Sequence, residues 1–208
     1  MSPEQIARLL NGVRQNEETG VYIAFPFLTG TRPSEQLALH WEDVDLDART
    51  IFIRRMQEAD GTLVDLTKTP AGTRKIPIAP DLHAMLVNWR QNCPRANGEL
   101  VRVFPTLTEI TGVTQRVRKP EGEPLLYNNF LRKYWRPVFG PLGLPYVTPH
   151  SARHSFISVL QAEGVEVGLV AKLAGHANPA VTLATYTHAV RGGEAAIAAL
   201  SNAYRISK

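Results

Sequence analysis

Helix-start signals recur along this chain, and apolar residues at helical spacing follow each of them. Near the N-terminus Ser2 can cap a helix, Pro3 suits its first position and Gln5 completes a capping box. Ile6, Leu9, Leu10 and Val13 then recur so that one face is buried. A second apolar segment, Val21 to Leu28, leads into Thr29-Gly30-Thr31, and Pro33 opens a third helix, Ser34 to about His40. Pro33 also biases Arg32 away from helical geometry, which places that arginine at a helix entrance. The pattern resumes at Pro80 and keeps helical spacing through Leu82, Met85, Leu86 and Trp89 to about Asn92. It returns at Asn128–Phe139, Pro149–Glu163 and Glu166–Ala174, after Asn178-Pro179, and over Glu194–Tyr204.

Between Asp43 and Ile78 the period changes. Thr50–Ile53, Thr62–Leu66 and Arg74–Ile78 read as short strands, the last two joined through the turn-forming Thr69-Pro70-Ala71-Gly72. One small antiparallel sheet accommodates them, with Pro77 on an edge where its missing N–H costs least. The expected fold class is therefore mainly α with a small antiparallel β-sheet (α+β). Residues 93–126, with Gly98, Gly112 and Gly122, are the least regular stretch and read as a loop or insertion. No internal repeat is present.

With 44% hydrophobic and 20% charged residues, the 208-residue chain can bury a core and is not disordered throughout. A net charge of +4 and a pI near 9.4 are compatible with a nucleic-acid partner without requiring one. Cys93 is the single cysteine, which excludes an intrachain disulfide and a Cys-based zinc cluster. The N-terminus lacks the layout of a signal peptide, and no apolar run approaches the roughly 18 residues of a membrane span. These features favour a cytoplasmic protein with no membrane association.

Three stretches carry chemistry. Around Thr29–Leu37, Arg32 can present a planar guanidinium to phosphate oxygens, or simply pair with Glu35 at the surface. His150 and Arg153 lie three apart near a helix start, where backbone N–H groups favour an anion. His150 and His154, at i and i+4, also admit a zinc reading. Ser151 stands where that chemistry needs Glu, however, and His154 reads better as packed or hydrogen-bonded. The third stretch is Ala174-Gly175-His176, followed by Thr185-Tyr186-Thr187-His188. Taken singly, His176, Tyr186 and Lys68 each also read as ordinary structural or solvated residues.

Their order is more specific than any member. Arg32 in Thr-Gly-x-Arg-x-x-Glu, Lys68 in Thr67-Lys68-Thr69 before Arg74-Lys75-Ile76-Pro77, His150-x-x-Arg153, Gly175-His176-x-Asn178-Pro179 and Tyr186-Thr187-His188 follow one series. The series resembles that of the tyrosine recombinases of the phage-integrase type, over roughly residues 3 to 190. The resemblance implies the tyrosine recombinase catalytic-domain (DNA breaking-rejoining enzyme) fold over 1–208, without the family's N-terminal core-binding domain. Residues 105–126 look longer than many relatives need.

The same resemblance implies roles. Arg32 and Arg153 bind the scissile phosphate, His150 accepts a proton from the nucleophile and His176 adds a hydrogen bond. Tyr186 attacks phosphorus, Lys68 protonates the departing 5′ oxygen and Glu35 orients Arg32 or a histidine. No metal, ATP or other cofactor is implied, and no phosphate-binding Gly-x-x-x-x-Gly-Lys-[Ser/Thr] loop occurs. The partner would be double-stranded DNA, paired sites being held by a homotetramer that exchanges a terminal helix at about 194–204. Candidate phosphate contacts are Arg54, Arg55, Arg74 and Lys75 near the sheet, and Arg116, Arg118, Lys119, Arg132, Lys133 and Arg136 beyond it. Three alternatives stand beside this: a type IB topoisomerase-like nicking-closing enzyme, a catalytically silent DNA-binding remnant, and a zinc hydrolase built on His150 and His154.

Overall fold

The computed structural model describes residues 1–66, 72–107 and 122–176. Seven α-helices occur among them: α1 (Pro3–Arg14), α2 (Gly20–Thr29), α3 (Pro33–Leu37), α4 (Pro80–Asn92), α5 (Tyr127–Phe130), α6 (Pro149–Ala162) and α7 (Val167–Ala174). The helical path of α5 continues as a π turn over Leu131–Trp135 and a 3-10 turn over Arg136–Val138. Five strands join them: β1 (Val44–Asp45), β2 (Thr50–Ile53), β3 (Arg55–Gln57), β4 (Leu63–Asp65) and β5 (Arg74–Pro77).

Local signals explain the helix starts. Ser2 and Gln5 form the reciprocal capping box on α1, with Oγ accepting from Gln5 N at 3.3 Å and Gln5 Oε1 from Ser2 N at 2.9 Å. Thr148 caps α6 through Ser151 N, and Glu166 caps α7 through Gly168 N. The third helix is shorter than the sequence suggests, ending at Leu37 rather than near His40.

Helix α2 is the centre of the molecule. Every residue in it except Leu28 is buried, as expected of a helix apolar on all sides, and it packs against α1, α4 and α6. Pro26 lies inside it and has no N–H for the carbonyl of Tyr22. The side-chain Nε2 of buried Gln36 donates to that carbonyl at 2.9 Å. A helix defect is thereby turned into a tie between α2 and α3, the two elements that flank Arg32. The core continues through Phe25, Phe104, Trp89, Phe130 and Trp135. Three of its polar aromatic groups find backbone acceptors: Trp89 Nε1 on Val103 O and Trp135 Nε1 on Val147 O, both at 2.7 Å, and Tyr22 OH on Pro105 O at 2.8 Å.

The strands make two sheets where a single one was expected. A three-stranded antiparallel sheet has the order β1-β2-β5, and β3 and β4 form a separate ribbon with Met56 opposite Val64. The segment around Leu63–Asp65 therefore pairs with Arg55–Gln57, not with Arg74–Pro77. Pro77 does lie on an edge strand, opposite Thr50. Burial along β5 alternates strictly, with Arg74 and Ile76 inward and Lys75 and Pro77 outward. Among the described residues no helix is long and apolar enough to cross a membrane.

Candidate active site

Two left-handed glycines end the helices that frame the site. Gly30 (φ +65°) stops α2, and a Cβ there would meet the Phe156 ring at 2.4 Å. Gly175 (φ +74°) stops α7, and a Cβ there would meet the Arg74 guanidinium at 2.6 Å. After Gly175 the N–H of His176 returns to Ala171 O at 2.9 Å, fixing the imidazole's attachment to the helix end. After Gly30 the buried hydroxyls of Thr29 and Thr31 bond each other at 3.0 Å and hold the turn into Arg32.

Glu35 organises the charges. It is 2% exposed, and its carboxylate accepts four hydrogen bonds from two arginines. Arg32 gives its backbone N–H and Nη1, each at 2.8 Å; Arg74 gives Nη1 at 3.1 Å and Nη2 at 2.7 Å. Helix ends supply further acceptors. Arg32 Nη2 reaches Gly175 O at 3.3 Å, Arg74 Nε reaches Leu173 O at 2.7 Å and Arg153 Nη1 reaches Gly30 O at 2.7 Å.

Two guanidinium groups thus share one carboxylate through hydrogen bonds, and a third, that of Arg153, feels its charge. Burial drives the Glu35 carboxyl up, but hydrogen bonds and charge from Arg74, then Arg32, outweigh it and leave the carboxyl below its ordinary value. Arg153, 2% exposed, is pulled down to about 10 by burial and by Arg32. Its Nη2 is buried with no hydrogen-bond partner among the described residues. His150 and His176 are both shifted toward neutrality. Burial acts first on each; then His154, Arg153 and Arg32 lower His150, while Arg153 and Arg32 help to bring His176 down to about 4. Two neutral imidazoles beside a cationic pocket can accept protons or donate hydrogen bonds to an anion.

The structure gathers Arg32, Glu35, His150, Arg153 and His176 into this electrostatically coupled group. Lys68 and Tyr186 lie outside the described residues, as do Arg116, Arg118, Lys119 and the 194–204 segment. His154, expected to be packed or hydrogen-bonded, is exposed, which corrects the packed alternative, and it meets His150 edge-on at 4.7 Å between centroids. Among the described residues no three His, Cys, Asp or Glu side chains gather as metal ligands.

The surface candidates divide. Arg74 was expected among the DNA contacts, and its burial corrects that: at 5% exposure it faces Glu35 and α7. Its place beside inward Ile76 in the alternating strand was the signal that could have revealed this. Arg54 and Arg55 also differ from solvated phosphate contacts. Arg54 bonds Asp43 at 2.6 Å and Glu42 at 2.9 Å, and Arg55 bonds Glu42 at 2.7 Å and also Asp43. Two carboxylates therefore already match their charges. Lys75 is exposed opposite Phe52 on β2. Arg132 and Arg136 are exposed on the helical path after α5, Arg136 lying 5.4 Å over the Tyr146 ring, and Lys133 there is half-buried.

Comparison with known proteins gives the family. The phage integrase family profile matches residues 1–191. A XerC-like tyrosine recombinase of Caldanaerobacter subterraneus subsp. tengcongensis is 24% identical over 200 residues, 91% of this chain and 50% of that protein. The transposase from transposon Tn916 of Enterococcus faecalis is 27% identical over 168 residues, 77% of this chain and 40% of the transposase. The chain spans half or less of the length of these two relatives. Of solved structures, the Tn1549 transposon integrase in complex with transposon right end DNA superposes with a TM-score of 0.71 at 22% identity, covering 97% of this chain and 65% of that one. The catalytic domain of bacteriophage HP1 integrase superposes at 0.55 with 18% identity, covering 95% and 92%. At these identities the superpositions establish the fold, that of a tyrosine recombinase catalytic domain. With the profile matched along nearly its whole length, this chain belongs to the phage integrase family.

Proposed function

We propose that this chain is the catalytic part of a site-specific DNA recombinase, cutting and rejoining double-stranded DNA through a 3′-phosphotyrosyl intermediate. One observation carries the reading: Arg153 holds a buried Nη2 with no acceptor among the described residues, in a pocket it shares with the guanidiniums of Arg32 and Arg74 and one carboxylate. Such a pocket suits a phosphodiester, whose transition state concentrates charge on the non-bridging oxygens where fixed cationic donors act most strongly.

In this reading the Tyr186 oxygen attacks phosphorus and the bond from phosphorus to the 5′ oxygen breaks. A phenol has a pKa near ~10, so its proton needs an acceptor. His150, held neutral, takes it, and His176 donates a hydrogen bond to the phosphate. Lys68 protonates the departing 5′ oxygen. The phosphotyrosine keeps the energy of the broken bond, so a 5′-hydroxyl from a second strand can attack it, release Tyr186 and join the strands. Guanidinium charge does the work that a metal would otherwise do, and no ATP is used. The assembly is a homotetramer on paired sites, coupled through the apolar 194–204 segment.

A nicked suicide duplex, analysed on a denaturing gel, tests the chemistry. The parent chain should form a covalent protein–DNA adduct that Tyr186→Phe lacks. No adduct from the parent, or an adduct retained by Tyr186→Phe, overturns the reading.

A further inference from the structure

We infer that Arg74 is a positioning residue for strand cleavage, holding Glu35 so that Arg32 keeps its charge available for the phosphate. This rests on the phosphoryl-transfer reading of the same site. Arg74 leaves β5 on its inward face and reaches two elements at once. Its Nη1 and Nη2 take one oxygen each of Glu35, at 3.1 and 2.7 Å, and its Nε takes Leu173 O on α7 at 2.7 Å. With 3% of its side chain exposed, it has no face left for DNA.

The geometry says what this fork does. A carboxylate and a guanidinium prefer a parallel two-bond pairing. Glu35 makes that pairing with Arg74 and gives Arg32 a single side-chain bond, Nη1 to Oε1 at 2.8 Å. Arg32, 41% exposed at its side chain, is left to present its remaining donors outward. Without Arg74, Glu35 is free to close the two-bond pairing on Arg32 and quench the cation that the phosphate needs. The same guanidinium lies over Gly175, where a Cβ would come within 2.6 Å of it, and so it also fixes the turn that carries His176. Arg32 closes the circuit through Gly175 O at 3.3 Å.

The test uses the full chain and the nicked suicide duplex under single-turnover conditions, with Arg74→Met, Arg74→Lys, Glu35→Gln and the Glu35→Gln/Arg74→Met pair. The adduct amplitude reads the competent fraction, and the rate constant reads the chemistry of that fraction. Arg74→Met should lower the rate constant by about 10²-fold, the scale of misplacing a reacting group by an ångström. Its DNA affinity should stay within about twofold, because a residue that touches no phosphate contributes little to binding. Arg74→Lys should rescue only part of the rate, since a point charge cannot span both carboxylate oxygens. In the Glu35→Gln background the Arg74 substitution should cost much less than alone, because the two act as a unit. A parent that cleaves while both Arg74 variants keep its rate constant and lose only amplitude or thermal stability overturns the positioning role. Multiplicative rate losses in the pair overturn it too. A parent that forms no adduct defeats the recombinase reading itself, a separate outcome.

Discussion

Replacing Glu35 by Ala removes the only carboxylate in hydrogen-bond contact with Arg32 and Arg74 among the described residues. Arg74 is then a guanidinium at 5% exposure with backbone carbonyls alone for company, and Arg153, at 2%, loses the same favourable charge. Removing one partner of a buried ion pair costs about 3–5 kcal/mol, because the other charge stays desolvated. In a domain of this size each kcal/mol lowers Tm by roughly 2–4 °C. Glu35→Ala should therefore melt roughly 6–20 °C below the parent at neutral pH, measured by circular dichroism. The dependence on pH has a definite sign. Arg74 and Arg32 hold the Glu35 carboxyl below its ordinary value of 4.5 despite burial, so its contribution is complete above that value. As pH falls through the lowered value the carboxylate protonates, and the gap between parent and variant should narrow. A gap below about 2 °C at neutral pH would show that the guanidiniums do not depend on this carboxylate. A gap that stays constant through the whole acid range would do the same.

Three further outcomes follow from the charges. His176, brought down to about 4, should stay neutral through the ordinary histidine range when its ring is followed by NMR; a midpoint near the ordinary value of 6.5 refutes the electrostatic picture. Because the unfolded ring protonates first, the fold should lose support from this group as pH drops from 6.5 toward 4. On DNA, Arg136→Ala should reduce the salt slope of binding by about 0.9 if it meets one phosphate, whereas Arg54→Ala should leave the slope unchanged. An equal loss for both substitutions, measured by fluorescence anisotropy across a salt series, contradicts the matching of Arg54 by Glu42 and Asp43.

The helix starts were legible because their signals are local. Ser2, Pro33, Pro80 and Pro149 each act within one turn of themselves. Strand pairing was less legible. Strands of two to four residues carry too little alternation to fix a partner, and β4 joins β3 through a register that only the folded chain decides. The path after α5 reads as one helix from its apolar spacing, yet it passes through a π turn into a 3-10 turn that contains Pro137, which lacks the N–H that would bond Lys133 O in an α-helix. At the site, the entrance position of Arg32 followed from Pro33 alone. The role of Arg74 did not, because a charged residue is by default assigned to solvent. Its inward place became evident only with the burial of Ile76 beside it on β5.

The terminal carbonyls of two helices bind all three arginines: that of Gly30 after α2, and those of Leu173 and Gly175 around the end of α7. One residue added to either helix would advance its end by about 1.5 Å and turn it by about 100°. The carbonyl would then face away from its guanidinium, and a desolvated cation would lose its acceptor. Both helices are thus locked to their present lengths by the pocket they border, and tolerance for insertions lies in the connecting chain, such as the stretch after α4.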